Sequence, residues 1–209
     1  MIQPSNHVPP TRAVARDKPG LDGEREIVAR MLDAVAEAGL SMDPNASVNF
    51  YVAVKSKPLT LLAGPSQSVK IALVQCLAKA LIGRGSAQCQ ILPAHAWWAN
   101  QISNVAMFTE AQTRLNTSKI LALIGEAWLP ENAGRIFMAC LTRMSPAELE
   151  GYFASTAFQI QRGGLMQLPT AHFTEPIPFP PNLLLIGTID ADGWKTSDDC
   201  LIAVTNIVQ

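Results

Sequence analysis

Three stretches of this chain are apolar at almost every position rather than at every second one: LTLLA at 59–63, RIFMACL at 135–141 and NLLLIGTI at 182–189. A strand with one face in water alternates apolar and polar residues, whereas a strand covered on both faces does not. Between them lie segments of helical pattern, at 69–82, at 117–128 and at 145–161, where Ser145, Pro146 and Glu148 supply an N-cap, a first-turn proline and a capping-box partner. Two further strands are predicted, QCQILP at 88–93 and CLIAVTNIV at 200–208. Buried strands alternating with helices specify an α/β fold with a parallel sheet of about five strands and helices on both faces.

The chain has 209 residues, 48% of them hydrophobic and 16% charged, which suits one domain with a full core. Residues 1–20 carry several prolines and few large apolar groups, so a flexible N-terminal arm is expected before a domain spanning 21–209. The segment LDGEREIVARMLDAVAEAGL at 21–40 sets Ile27, Met31, Leu32, Val35 and Ala38 on one helical face, with Gly39 as its stop. A formal net charge of −1 gives no overall field for nucleic acid, a membrane surface or an acidic partner. Cys76, Cys89, Cys140 and Cys200 are scattered without metal-ligand spacing, and three of them lie in apolar stretches, where buried free thiols are the ordinary reading, so no metal site is expected. With no signal segment and no apolar run of membrane-spanning length, the expected compartment is the cytoplasm.

The segment between the first apolar strand and the next helix is Gly64-Pro65-Ser66-Gln67-Ser68-Val69-Lys70-Ile71. A phosphate loop has the pattern GxxxxGK[ST]: its backbone N–H groups cradle the phosphates, its lysine reaches the terminal ones and its hydroxyl holds Mg²⁺. Here the first glycine and the lysine are in register, but Val69 stands at the second glycine and Ile71 at the hydroxyl. A β-branched residue resists positive φ and puts methyl groups where anionic oxygens would lie. Ile71 has no oxygen for a metal. Taken alone, the segment reads as an ordinary strand-to-helix turn rather than as a nucleotide site.

Longer runs carry a resemblance. NFYVAVKSKPLTLLAGPSQSVKIALVQCLAKAL at 49–81, ILPAHAWW at 91–98, FMACLTRMSPAELEGYFAS at 137–155 and IPFPPNLLLIGTIDAD at 177–192 occur in the same order as matching segments of the AAA+ P-loop NTPase domain in McrB-type restriction GTPases. The chain resembles that family over roughly residues 48–209. The resemblance implies a sheet of order 5-1-4-3-2 and assembly into rings. It also implies where chemistry should sit, and those positions depart from the pattern. Thr142 stands at the Walker B aspartate, Arg143 at the catalytic glutamate and Asp190 at the sensor-1 asparagine. A guanidinium is no general base and repels Mg²⁺. The retained positions, among them Tyr152, Phe153, Pro180, Pro181, Asn182 and Gly187, are those that build the scaffold. No C-terminal lid domain is expected, and beside the resemblance the segment 64–71 reads as the relic of a nucleotide site.

Other constellations give no site. Residues 190–199 are rich in carboxylates, but Gly193 falls at the fourth place rather than the sixth that an EF-hand loop requires. His95, Trp97 and Trp98 are read as packing under a loop or at an interface, and Glu148 and Glu150 as cap and solvated surface. Ser66 and Ser68 have no nearby histidine to activate them. The expectation is a catalytically inactive, pseudo-ATPase module with no catalytic residues and no required cofactor. Its expected partner is a protein, either an active AAA+ subunit or a second copy. The alternative is a sensor that binds ATP or GTP without metal and without hydrolysis. Direct nucleic-acid binding, suggested by the resembling family alone, ranks behind both.

Overall fold

A computed structural model describes residues 21–56, 59–83, 85–93, 110–144, 167–168, 177–178, 180–190 and 205–208. Outside the described residues lie the arm at 1–20, His95, Trp97, Trp98, the helix expected from Ser145, the acidic loop after Asp190, and Cys200. Helices α1 (Leu21–Glu37) and α2 (Pro44–Ser56) lead into strand β1 (Leu59–Ala63), followed by α3 (Gln67–Ile82), β2 (Cys89–Pro93) and α4 (Glu110–Trp128). After a short 3-10 turn at Pro130–Asn132 come β3 (Phe137–Thr142), β4 (Gln167–Leu168), β5 (Ile177–Pro178), β6 (Leu183–Ile189) and β7 (Thr205–Val208).

The protein is an α/β domain built on a parallel sheet. Strands β2, β3, β6 and β1 lie side by side in that order, and the short β7 joins parallel to β1 at the far edge. Numbered in chain order among themselves, these five strands run 5-1-4-3-2, the order that the resemblance implies. The antiparallel pair β4–β5 stands apart.

Because successive side chains of a strand point to opposite faces, each apolar run splits between two cores. Leu59, Leu61, Phe137, Ala139, Leu141, Leu183 and Leu185 pack with Ile120, Leu123, Ile124 and Ala127 of α4. On the other face Leu62, Met138, Cys140, Leu184 and Ile186 pack with residues of α1, α2 and α3. The continuous apolar runs are thus explained by helices on both faces.

Local sequence sets the helix ends. Gly39, at φ 67°, donates to the Ala36 carbonyl while Leu40 N–H reaches the Val35 carbonyl, closing α1 as a left-handed C-terminal turn does. The first two helices are tied by Glu24, whose carboxylate accepts from the Tyr51 hydroxyl and the Lys55 ammonium. Burial works to raise the Glu24 carboxyl, but the bonds from Lys55 and Tyr51 outweigh it and hold the group below the usual carboxylate range.

Among the described residues, one buried side-chain polar atom within the strands has no partner. Thr60, wholly buried in β1 on the same face as Leu62, has a hydroxyl without a hydrogen bond. A buried hydroxyl left unpaired costs about 1–3 kcal/mol, and valine has nearly the same shape. Thr60→Val is expected to raise the unfolding free energy by about 1 kcal/mol in urea denaturation. A loss of stability of that size would mean that the hydroxyl has an acceptor.

Candidate functional site at the carboxyl edge of the sheet

The three central strands end level with one another. Ala63 of β1 is in register with Ile189 of β6, and Leu141, the residue before Thr142 in β3, is in register with Gly187. The sheet thereby brings the segment 64–71, Thr142 with Arg143, and Asp190 to one edge, where open parallel sheets bind their ligands.

Helix α3 begins at Gln67, two residues earlier than the sequence pattern predicts. Ser66 is its N-cap, in extended conformation, with its Oγ accepting from Val69 N–H at 3.4 Å. The Lys70 N–H reaches the Ser66 carbonyl. Only Gly64, Pro65 and Ser66 are left to connect β1 to α3. The physical cause lies in two residue types. A serine at 66 is a strong cap, and a valine at 69 favours the helical basin over the left-handed one that glycine permits. The N–H groups of Val69 and Lys70, which in a phosphate loop would face the ligand, are spent inside the helix. Val69 itself is exposed, and Ile71 lies half-buried within the helix. Pro65 and Ser68 are exposed too, and the Ser66 and Ser68 hydroxyls lie 3.1 Å apart.

Lys70 is 5% exposed. Its ammonium donates to the Gly64 carbonyl at 2.6 Å, to the Ile189 carbonyl at 2.5 Å and to Asp190 Oδ1 at 3.0 Å. An ammonium has three N–H donors, so all three are engaged by the protein's own oxygens. Two of those oxygens sit at the carboxyl ends of neighbouring strands: Ile189 closes β6, and Gly64 directly follows β1. Asp190, by contrast, has a side chain 75% exposed.

A second hub was not anticipated from the sequence. Thr188, fully buried in β6, places its Oγ1 3.0 Å from Arg143 N–H, 2.8 Å from Gln67 Nε2 and 3.1 Å from Gln67 Oε1. A hydroxyl accepts two bonds and donates one, so this set saturates it. The only available signal was a polar residue inside the run LLLIGTI. Arg143 sits directly after β3 with φ 60°, a left-handed conformation that costs a non-glycine residue about 1 kcal/mol. It is held there by its bond to Thr188 Oγ1 and by Met144 N–H, which donates to the Thr188 carbonyl. Thr142, last in β3, is buried.

The edge carries no metal set: among the described residues no three His, Cys, Asp or Glu side chains cluster. Thiol chemistry is also disfavoured. Burial pushes the Cys89 thiol up to about 11, and burial likewise raises Cys140, followed by the effect of nearby Cys89. Burial raises Cys76 as well, more than Lys79 lowers it. These thiols remain protonated at neutral pH, and the thiolate is the nucleophile. No described helix is long and apolar enough to cross a membrane. Comparison with protein-family models and with curated proteins finds no match for this chain.

Proposed function

We propose that this chain is a catalytically inactive AAA+-like module, a pseudo-ATPase whose role is to bind another protein within an assembly. The supporting observation is the engagement of Lys70. The one cation of the relic loop is buried and bonded to Gly64, Ile189 and Asp190, with no donor left for a phosphate. Three features agree with it: the early start of α3, the hydroxyl and guanidinium at 142 and 143 where hydrolysis needs carboxylates, and the strand order. Hydrolysis of a nucleoside triphosphate needs a positioned metal and an oriented water. The partner in this reading is an active AAA+ subunit or a second copy of the chain, in the cytoplasm.

A second reading, a sensor that binds nucleotide without metal, is favoured by the exposed Ser66 and Ser68 at the N-terminus of α3, beside Lys70. Isothermal titration with ATP, ADP, GTP and GDP, each with Mg²⁺ and with EDTA, separates the two. No heat and no hydrolysis are expected. Sustained turnover of ATP or GTP would overturn both readings, and micromolar binding that survives EDTA would replace the first with the second.

A further inference from the structure

We propose that Asp190 is an internal stand-in for a phosphate group: its carboxylate occupies Lys70 and keeps the relic site closed to anions. This rests on the inactive-module reading and gives it a physical device.

The geometry around Lys70 is uneven. The two carbonyl acceptors belong to strand ends whose positions the sheet fixes, Gly64 after β1 and Ile189 at the end of β6. They orient the ammonium, so that its third donor points towards the edge of the sheet, where Asp190 Oδ1 meets it. Asp190 is the one member of the set that faces solvent. A carboxylate and a phosphate oxygen present the same thing to an ammonium, a compact anionic acceptor. Around the contact are the other features that attract an anion: the exposed Ser66 and Ser68 hydroxyls at the start of α3, and the partial positive charge of that sixteen-residue helix's first turn. An incoming anion would have to displace Asp190 from Lys70 and remain beside its charge. The same carboxylate therefore removes a donor and adds repulsion.

Removing the charge while keeping the side chain's shape tests this. Asp190→Asn leaves the two carbonyl contacts of Lys70 in place, and the substituted side chain is largely in water, so the fold is retained. The probe is inorganic tripolyphosphate in EDTA, followed by isothermal titration on the full chain. Wild type is expected to show no saturable binding. Asp190→Asn is expected to bind at least about tenfold more tightly, the scale of one unit charge at a partly exposed site. Binding by the variant should disappear in Asp190→Asn/Lys70→Met. As that lysine also supports the fold, Asp190→Asn/Ser68→Glu supplies a second control, since it places a carboxylate on an exposed position of the first turn. A folded but silent Asp190→Asn protein would overturn the stand-in and leave the inactive-module reading intact. Equal affinity in wild type and Asp190→Asn would overturn the stand-in and favour the sensor. Binding by the variant that persists in both double variants would place the anion elsewhere and overturn it too.

Discussion

Lys70→Ala is expected to lower the unfolding free energy by about 2–3 kcal/mol in urea denaturation, with no nucleotide, metal or partner present. The loss has two sources. The lysine's methylene stem is buried in the first turns of α3, and its removal leaves a void against the sheet edge. The Gly64 and Ile189 carbonyls lose a charged donor, and the latter is on a fully covered strand. Asp190 contributes little to the total, because a carboxylate that is 75% exposed is screened by water. Its own replacement by alanine should therefore cost under about 1 kcal/mol. The contrast between the two ends of one ion pair is the informative quantity. A lysine kept for phosphate alone would extend into solvent, and its truncation would stay within about 0.5 kcal/mol. A result that small would show that Lys70 does not pin the strand ends.

The parallel sheet was legible because burial on both faces leaves its mark on every residue of β1, β3 and β6. Helix α4 was legible only from 117 onwards. Its first turns, Glu110 to Asn116, carry too few apolar residues to show a helical period. The pair β4–β5 has two residues per strand, too short for any alternation to register. At the edge of the sheet, the departures at Val69 and Ile71 could be read from the phosphate-loop spacing, whereas Thr142, Arg143 and Asp190 were singled out only by the resemblance; the structure brings the loop, Arg143 and Asp190 together. The occupation of Lys70 could not be read. Its acceptors at Ile189 and Asp190 lie 119 and 120 residues further along the chain, and only the pairing of β1 with β6 joins them. The early start of α3 was hidden for a different reason. The phosphate-loop pattern directed attention to Val69 and Lys70, whereas the local capping chemistry of Ser66 decided where the helix began.

Gly187 is where the sheet has the least room to give. It lies in β6 between its register partners Leu61 of β1 and Leu141 of β3. A Cβ built on it would stand 2.7 Å from Leu61 Cδ2 and 2.7 Å from Met144 Sδ. Both neighbours are buried in the core beneath α4. Methionine is unbranched and can swing aside, but its backbone is fixed by the bond from Met144 N–H to the Thr188 carbonyl. Leu61 is wholly enclosed and has no alternative space. Gly187→Ala is therefore expected to cost about 1–3 kcal/mol, the range for overpacking one methyl into a filled core. Gly187→Val adds two further methyls on the same side and should exceed about 3 kcal/mol. Because Thr188 follows directly and holds Arg143 in its left-handed turn, the damage should spread to the carboxyl edge as well. A double-mutant cycle isolates the cause: Met144→Ala opens space beside the new methyl, so its own cost should shrink by about 1 kcal/mol or more when Gly187→Ala is present. Strict additivity of the two changes would locate the strain at Leu61 alone, and a neutral Gly187→Ala would show that neither neighbour holds the strand closely.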